Sequence, residues 1–124
     1  MDREKPLIEK PDGDPPFDLR IEDMIVGDGD EAVDGKRCTV HYVGASFLRG
    51  DEFDASWDRG EPFYFTLGKG HVIVGWDKGV AGMKVGGRRK LFVPSAMAYG
   101  ARGAGGVIKP HDPLVFIVDL LAVD

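Results

Sequence analysis

Residues 71–83 read HVIVGWDKGVAGM, and Val72, Ile73, Trp76, Val80 and Met83 recur there at helical spacing. The spacing predicts a helix over 71–83, the one convincing helix of the chain. Gly75, Gly79 and Gly82 weaken it intrinsically, yet glycines let a helix lie close against a sheet. Outward from this stretch, the neighbouring segments are extended. Residues 62–67 (PFYFTL) put Phe63, Phe65 and Leu67 on one face, and residues 88–94 are extended again. Residues 36–47 (KRCTVHYVGASF) alternate Cys38, Val40 and Tyr42 against Thr39 and His41, which is strand periodicity. Leu19, Ile21 and Met24 to Val26 mark a first strand, ended by the turn-rich residues 27–30. Residues 113–123 (PLVFIVDLLAV) are so apolar and β-branched that they belong at the centre of a sheet. A polar turn at residues 50–52, a loop around Phe53 and Asp54, and a glycine-rich loop over 99–113 connect these pieces. Strands around one helix define an α+β fold: an antiparallel sheet wrapped over that helix.

The 124 residues make one domain, long enough to bury a core without disulfide staples. Residues 1–18 are set apart as a flexible, Pro-rich lead: four prolines and many charges leave too little apolar surface to dock firmly. The globular domain is expected over 19–124. A formal net charge of −5 argues against nucleic acid, whose binding is carried by Lys and Arg neutralising phosphates. Cys38 stands alone and reads as a small buried hydrophobe. The start, MDREKPLIEK, lacks the apolar stretch of a secretory signal, and no run approaches the roughly 20 apolar residues of a membrane span. The expectation is therefore a cytoplasmic protein with no membrane partner.

No GxSxG elbow, Walker loop, HExxH pair or CxxC is present. His41, His71 and His111 lie too far apart for ligand spacing, so neither a metal nor a cofactor is expected. The glycine-rich loop follows no strand-to-helix junction that would cradle a phosphate. Lys84, Arg88, Arg89 and Lys90 would be divided between two faces of a strand, as on a solvated edge. What remains is aromatic: Tyr42, Phe53, Phe63, Trp76, Tyr99 and Phe116 are spread over nearly every element. Large aromatics dominate cores. Small-molecule sites also consist of apolar walls with a few placed polar groups, which Tyr42, Tyr99 and Asp54 could supply. Composition leaves both readings open.

Four blocks in register resolve the question by resemblance: residues 40–44 (VHYVG), 53–56 (FDAS), 68–76 (GKGHVIVGW) and 98–100 (AYG). In order, spacing and identity they resemble the FKBP family, the macrolide-binding peptidyl-prolyl cis-trans isomerases, from about Leu19 to Val123. The resemblance implies a five- to six-stranded antiparallel curled sheet around one short helix, with the site between them. It implies Trp76 as the pocket floor, and Tyr42, Phe53, Phe63, Val72, Ile73, Tyr99, Val107, Ile108 and Phe116 as its walls. Asp54 would sit at the rim beside Arg59. The Ile73 N–H and the Tyr99 hydroxyl would hold carbonyls of a bound peptide. The catalytic set is thus expected to be Tyr42, Phe53, Asp54, Tyr99 and Phe116. Arg59, Phe63, Val72, Ile73, Trp76, Val107 and Ile108 would bind substrate. His71, Trp57 and Ala104 depart from the family's usual residues, which bears on specificity. The implied partners are proline-containing peptides and unfolded proteins, with rapamycin- or tacrolimus-like macrolides as inhibitors, acting on a monomer. A macrolide- or peptide-binding module with incidental turnover uses the same residues and is the alternative.

Overall fold

A computed structural model describes residues 3–124. Six strands form a single antiparallel sheet: β1 (Arg20–Ile25), β2 (Arg37–Ser46), β3 (Glu52–Ala55), β4 (Phe63–Thr66), β5 (Arg88–Val93) and β6 (Leu114–Val123). The order is β1-β5-β6-β2-β3, with β4 pairing the other half of the β2 edge. β6 is interior, as its apolar, β-branched composition requires. Its ladder with β2 runs from Cys38 opposite Val123 to Ser46 opposite Leu114. β2 then carries β4 along Arg37 to Val40 and β3 along Val43 to Ala45. β3 is a four-residue edge strand absent from the sequence expectation, which treats this region as loop. A single helical turn, α1 (Ser56–Arg59), follows it directly.

The central helix is shorter than its periodicity suggests. α2 spans Val74–Gly79, not 71–83. Ile73 is extended (φ −59°, ψ 153°), and its carbonyl accepts the first helical N–H groups, from Trp76 at 2.9 Å and Asp77 at 3.2 Å. Beyond Val80 the chain turns through Gly82 at φ +87°, a left-handed conformation that a helix cannot include. Trp76, Val80 and Met83 are nevertheless all buried, so the apolar spacing reported the buried face correctly while glycine limited the helical hydrogen bonding. Gly75 and Gly79 set the approach of helix to sheet. A Cβ on Gly75 would lie 2.5 Å from a Val93 methyl, and one on Gly79 would lie 2.8 Å from a Leu91 methyl.

The two faces of the sheet bury different clusters. Cys38, Val40, Tyr42, Phe65, Leu67, Leu91, Val93, Phe116, Val118 and Leu120 enclose Trp76 and Val80 on the concave face. Val43, Ala45, Phe47, Phe92, Val115 and Ile117 form a second cluster on the convex face, joined by Ala55 and Ile8. Strand alternation divides Arg88 and Arg89 between the two faces, but β5 lies inside the sheet and both side chains are largely buried, not on the solvated edge expected. Arg88 pairs with buried Asp119 on the convex side, while Arg89 pairs with Asp23 and donates to the Gly79 and Ala81 carbonyls at the end of α2.

The lead differs from the expectation of a segment too polar to dock. Residues 1 and 2 lie outside the described residues. Residues 3–19 form no helix or strand, yet Ile8 is only 8% exposed and packs in the convex cluster. Arg3 reaches Asp119 at 3.0 Å.

Candidate active site

α2, β2, β3, β4, β6 and the segment before α2 converge on a cavity of about 160 Å³. Tyr42, Phe53, Asp54, Phe63, His71, Val72, Ile73, Trp76, Tyr99 and Phe116 line it. Trp76, 4% exposed, is the floor. Tyr42 stands edge-on to it at 5.0 Å between ring centroids, Phe116 at 5.4 Å and Phe63 at 6.0 Å. Phe53 meets Phe116 edge-to-face at 5.7 Å, an arrangement favoured by the ring quadrupoles. Gly44 in β2 makes that pair possible, since a Cβ there would come within 2.6 Å of the Phe53 ring.

One polar knot interrupts these apolar walls. The Tyr42 hydroxyl donates to Asp54 Oδ2. Arg59 Nη1 donates to Asp54 Oδ1 at 2.5 Å, and Arg59 Nη2 donates to the Tyr42 oxygen at 3.0 Å. The register of β2 with β3 sets this up by pairing Gly44 with Asp54, while α1 turns the chain so that Arg59 faces back to the rim. Burial pushes the Tyr42 phenol above its ordinary pKa, and its bond to the Asp54 carboxylate adds to the rise. Burial likewise raises Tyr99, with the Asp54 charge a second cause. Among the described residues the Tyr99 hydroxyl and the Ile73 N–H have no hydrogen-bond partner.

Two expected wall residues stand apart. The loop folds back through a bridge between Ala104 and Ile108, which sends Ile108 into the concave core and leaves Val107 57% exposed. Val107 instead borders a separate cleft beside Phe53, with Arg49 and Lys109. His71, a departure from the family's usual residue, joins the wall as well. Two supporting residues escaped sequence reasoning. Asp77 accepts from the Gly68 and Gly70 N–H groups at 2.9 Å each and so fixes the turn that delivers His71 and Val72. Buried Ser56 accepts the Tyr42 N–H at 2.7 Å and lies 2.8 Å from His41 Nδ1, holding the strand behind the knot. An acidic residue in the first turn of a helix, following a Gly-x-Gly turn, is the signal that could have found Asp77.

The arrangement is an aromatic bowl with a fixed carboxylate at its lip and two unpartnered donors beside it. A family model for the FKBP-type peptidyl-prolyl cis-trans isomerase matches residues 29–121. The chain belongs to the FKBP family. An FK506-binding protein of Streptomyces anulatus is 56% identical over 124 residues, covering 99% of this chain and all of the relative, so the match takes in the lead. The peptidyl-prolyl cis-trans isomerase FPR2 of Saccharomyces cerevisiae is 50% identical over 105 residues, 85% of this chain and 75% of that protein. Among solved structures, the crystal structure of AtFKBP13 superposes with a TM-score of 0.80 at 39% identity, covering 89% of this FKBP and 96% of that chain. This FKBP is accordingly a peptidyl-prolyl cis-trans isomerase, built on the curled sheet and short helix that its sequence implies. No helix among the described residues is long and apolar enough to cross a membrane.

Proposed function

We propose that the aromatic bowl binds the proline ring and its preceding residue, and that Tyr42, Phe53, Asp54, Tyr99 and Phe116 stabilise the twisted X-Pro bond. An X-Pro bond resists rotation because amide resonance gives it double-bond character, with a barrier of roughly 18–20 kcal/mol. Twisting removes that resonance, so the carbonyl becomes less polar and the nitrogen more pyramidal. Water favours the planar, polar ground state. A bowl walled by Trp76, Phe63 and Phe116 favours the twisted form, which is selective binding of the transition state. The Ile73 N–H and the Tyr99 hydroxyl hold flanking carbonyls while the bond turns. Bringing tens of seconds to milliseconds requires a gain on the order of 10⁴, or about 5.5 kcal/mol. No nucleophile or proton relay takes part.

One observation carries this reading: the carboxylate of Asp54 is pinned by Tyr42 and Arg59 at the edge of a cavity walled largely by aromatic and aliphatic side chains. Leu or Phe before proline is favoured over Glu, because the walls that receive it are apolar. FK506-like macrolides fill the same bowl, and the chain works as a monomer on proline-containing peptides and unfolded proteins. A cytoplasmic address is supported by its single cysteine, buried and free. The test follows Trp76 fluorescence in a Trp57→Phe background while FK506 is added. A saturable change at one macrolide per chain is expected, and a Leu-Pro peptide should compete with it. An emission unaffected by excess FK506 would overturn the assignment of the bowl.

A further inference from the structure

The catalytic rim rests on a weak element. β3 is four residues long, lies at the sheet edge, and pairs with β2 at three positions interrupted by a bulge between Gly44 and Ala45. Asp54 sits on it, and Arg59 ends the single turn that follows. Short edge strands with few pairings are the first parts of a sheet to open. The N-terminal lead touches this element from the opposite face at successive points. Lys5 Nζ lies 2.9 Å from Glu52 at the start of β3 and 2.9 Å from Asp58 in α1, so it bridges the two sides of Asp54. Ile8 is buried in the convex cluster with Ala55, the residue after Asp54, and with Trp57 at the edge of that cluster. Lys10 lies against Gly50 in the preceding turn, where a Cβ would come within 2.8 Å of the Lys10 side chain. Arg3 fastens the far end by donating to buried Asp119 at 3.0 Å and to the Gly86 carbonyl at 2.6 Å.

We infer that residues 3–10 are a strap belonging to the isomerase domain, and that Ile8 and Lys5 are positioning residues that hold β3 and α1 so that Asp54 and Arg59 meet at the rim. The inference rests on the proposed role of Asp54. Ile8 is the anchor, because it is buried. The Lys5 pairs are exposed and contribute orientation more than stability. Neither side chain lines the cavity, so both act through the backbone of the strand that carries the carboxylate. Leu7, between them, is 82% exposed and takes no part.

The experiment uses the full chain. Ile8→Ala and Lys5→Ala should lower kcat/KM for a Leu-Pro peptide by about 3- to 30-fold, the scale on which small misplacements of a reacting group are felt. Ile8→Val and Lys5→Arg should restore most of it, and Leu7→Ala should change nothing. Amide hydrogen exchange should quicken at β3 while the β2–β6 ladder keeps its protection. The decisive arm is a double-mutant cycle. In an Asp54→Val background the Ile8→Ala penalty should vanish, because there is no carboxylate left to position. A penalty that persists undiminished there, or Ile8→Ala and Lys5→Ala variants as active as the parent, overturns the strap. A parent chain without isomerase activity would instead overturn the reading of the site, and the exchange rates of β3 would still decide whether the lead holds it.

Discussion

Replacing Asp54 by valine removes the carboxylate from the cavity wall and leaves the aromatic bowl in place. The cost to the fold is small. The Asp54 side chain is 39% exposed and that of Arg59 is 49% exposed, so their pair contributes no more than about 1 kcal/mol. The Tyr42 hydroxyl loses its acceptor but keeps the Arg59 donor at 3.0 Å and opens to water, adding about 1 kcal/mol. Such losses leave a domain with 5–15 kcal/mol of typical stability folded. Turnover should suffer more. A charge held fixed beside a carbonyl whose dipole changes during rotation is worth about 1–3 kcal/mol in the transition state, or roughly 5- to 160-fold in kcat/KM. The assay is exchange NMR on a Leu-Pro peptide, with calorimetric titration of FK506 in parallel and near-ultraviolet circular dichroism to establish folding. Both turnover and macrolide affinity should fall together. Tyr64→Ala is the control: Tyr64 points outward from β4, half exposed beneath the Arg37 guanidinium, and its loss should affect neither. A folded Asp54→Val protein with full turnover and full affinity would return Asp54 to being a turn residue.

Asp112 should prove a sensitive position for stability outside the apolar core. It is buried and accepts from Ser46 Oγ at 3.0 Å, Arg49 Nη2 at 2.9 Å and the Lys109 N–H at 3.2 Å, tying the loop after Tyr99 to the end of β2. Asp112→Ala leaves Ser46 Oγ and the Lys109 N–H without their acceptor, while Arg49 keeps Asp51 at 3.5 Å and access to water, and should cost about 1–3 kcal/mol in urea unfolding; no measurable loss would contradict that role. The pH profile gives another check. Tyr42 and Tyr99 titrate above their ordinary values, chiefly through burial, so the stability their neutral forms contribute is complete below pH 10 and lost as pH rises beyond it. With no acid or base in the mechanism, kcat/KM should stay flat from about pH 6 to 9. A bell-shaped curve there would expose a titrating participant and contradict the mechanism. His41 runs the other way: burial lowers its pKa against the opposing pull of Asp119, so the stability it contributes is complete above pH 6.5 and lost as pH falls through its lowered folded-state pKa. Wild type should therefore lose more melting temperature between pH 7.5 and 5 than His41→Gln, and equal losses would remove His41 from that balance.

Much of the fold was legible because β2 opens with a clean alternation and β6 is apolar and β-branched throughout, as a strand buried on both faces must be. Cys38, Val40 and Tyr42 announce a buried face by period, whereas residues 113–123 announce a central strand by composition. The pocket was legible in another way, through four short blocks whose joint spacing resembles one family. What stayed hidden was non-local. β3 is too short for periodicity, and only its pairing with Val43 and Gly44 makes Phe53 and Asp54 a strand. Ile8 sits alone among prolines and charges, and nothing nearby in sequence reveals the convex cluster assembled from Val43, Phe92 and Val115 that receives it. Val107 and Ile108 are adjacent and alike, yet the Ala104–Ile108 bridge turns one out and the other into the core. Glycine worked against the reading at α2, where apolar spacing continued past the point at which helical hydrogen bonds could.

The central claim is that the bowl around Trp76 catalyses rotation about X-Pro bonds. The most direct measurement is cis-trans exchange of a Leu-Pro peptide, followed by magnetisation-transfer NMR with a catalytic amount of the protein, before and after one equivalent of FK506. Exchange should move from the tens-of-seconds range of the free peptide toward milliseconds and fall back when the macrolide occupies the bowl. Exchange that stays at the uncatalysed rate with folded protein present, or acceleration untouched by saturating macrolide, would contradict it.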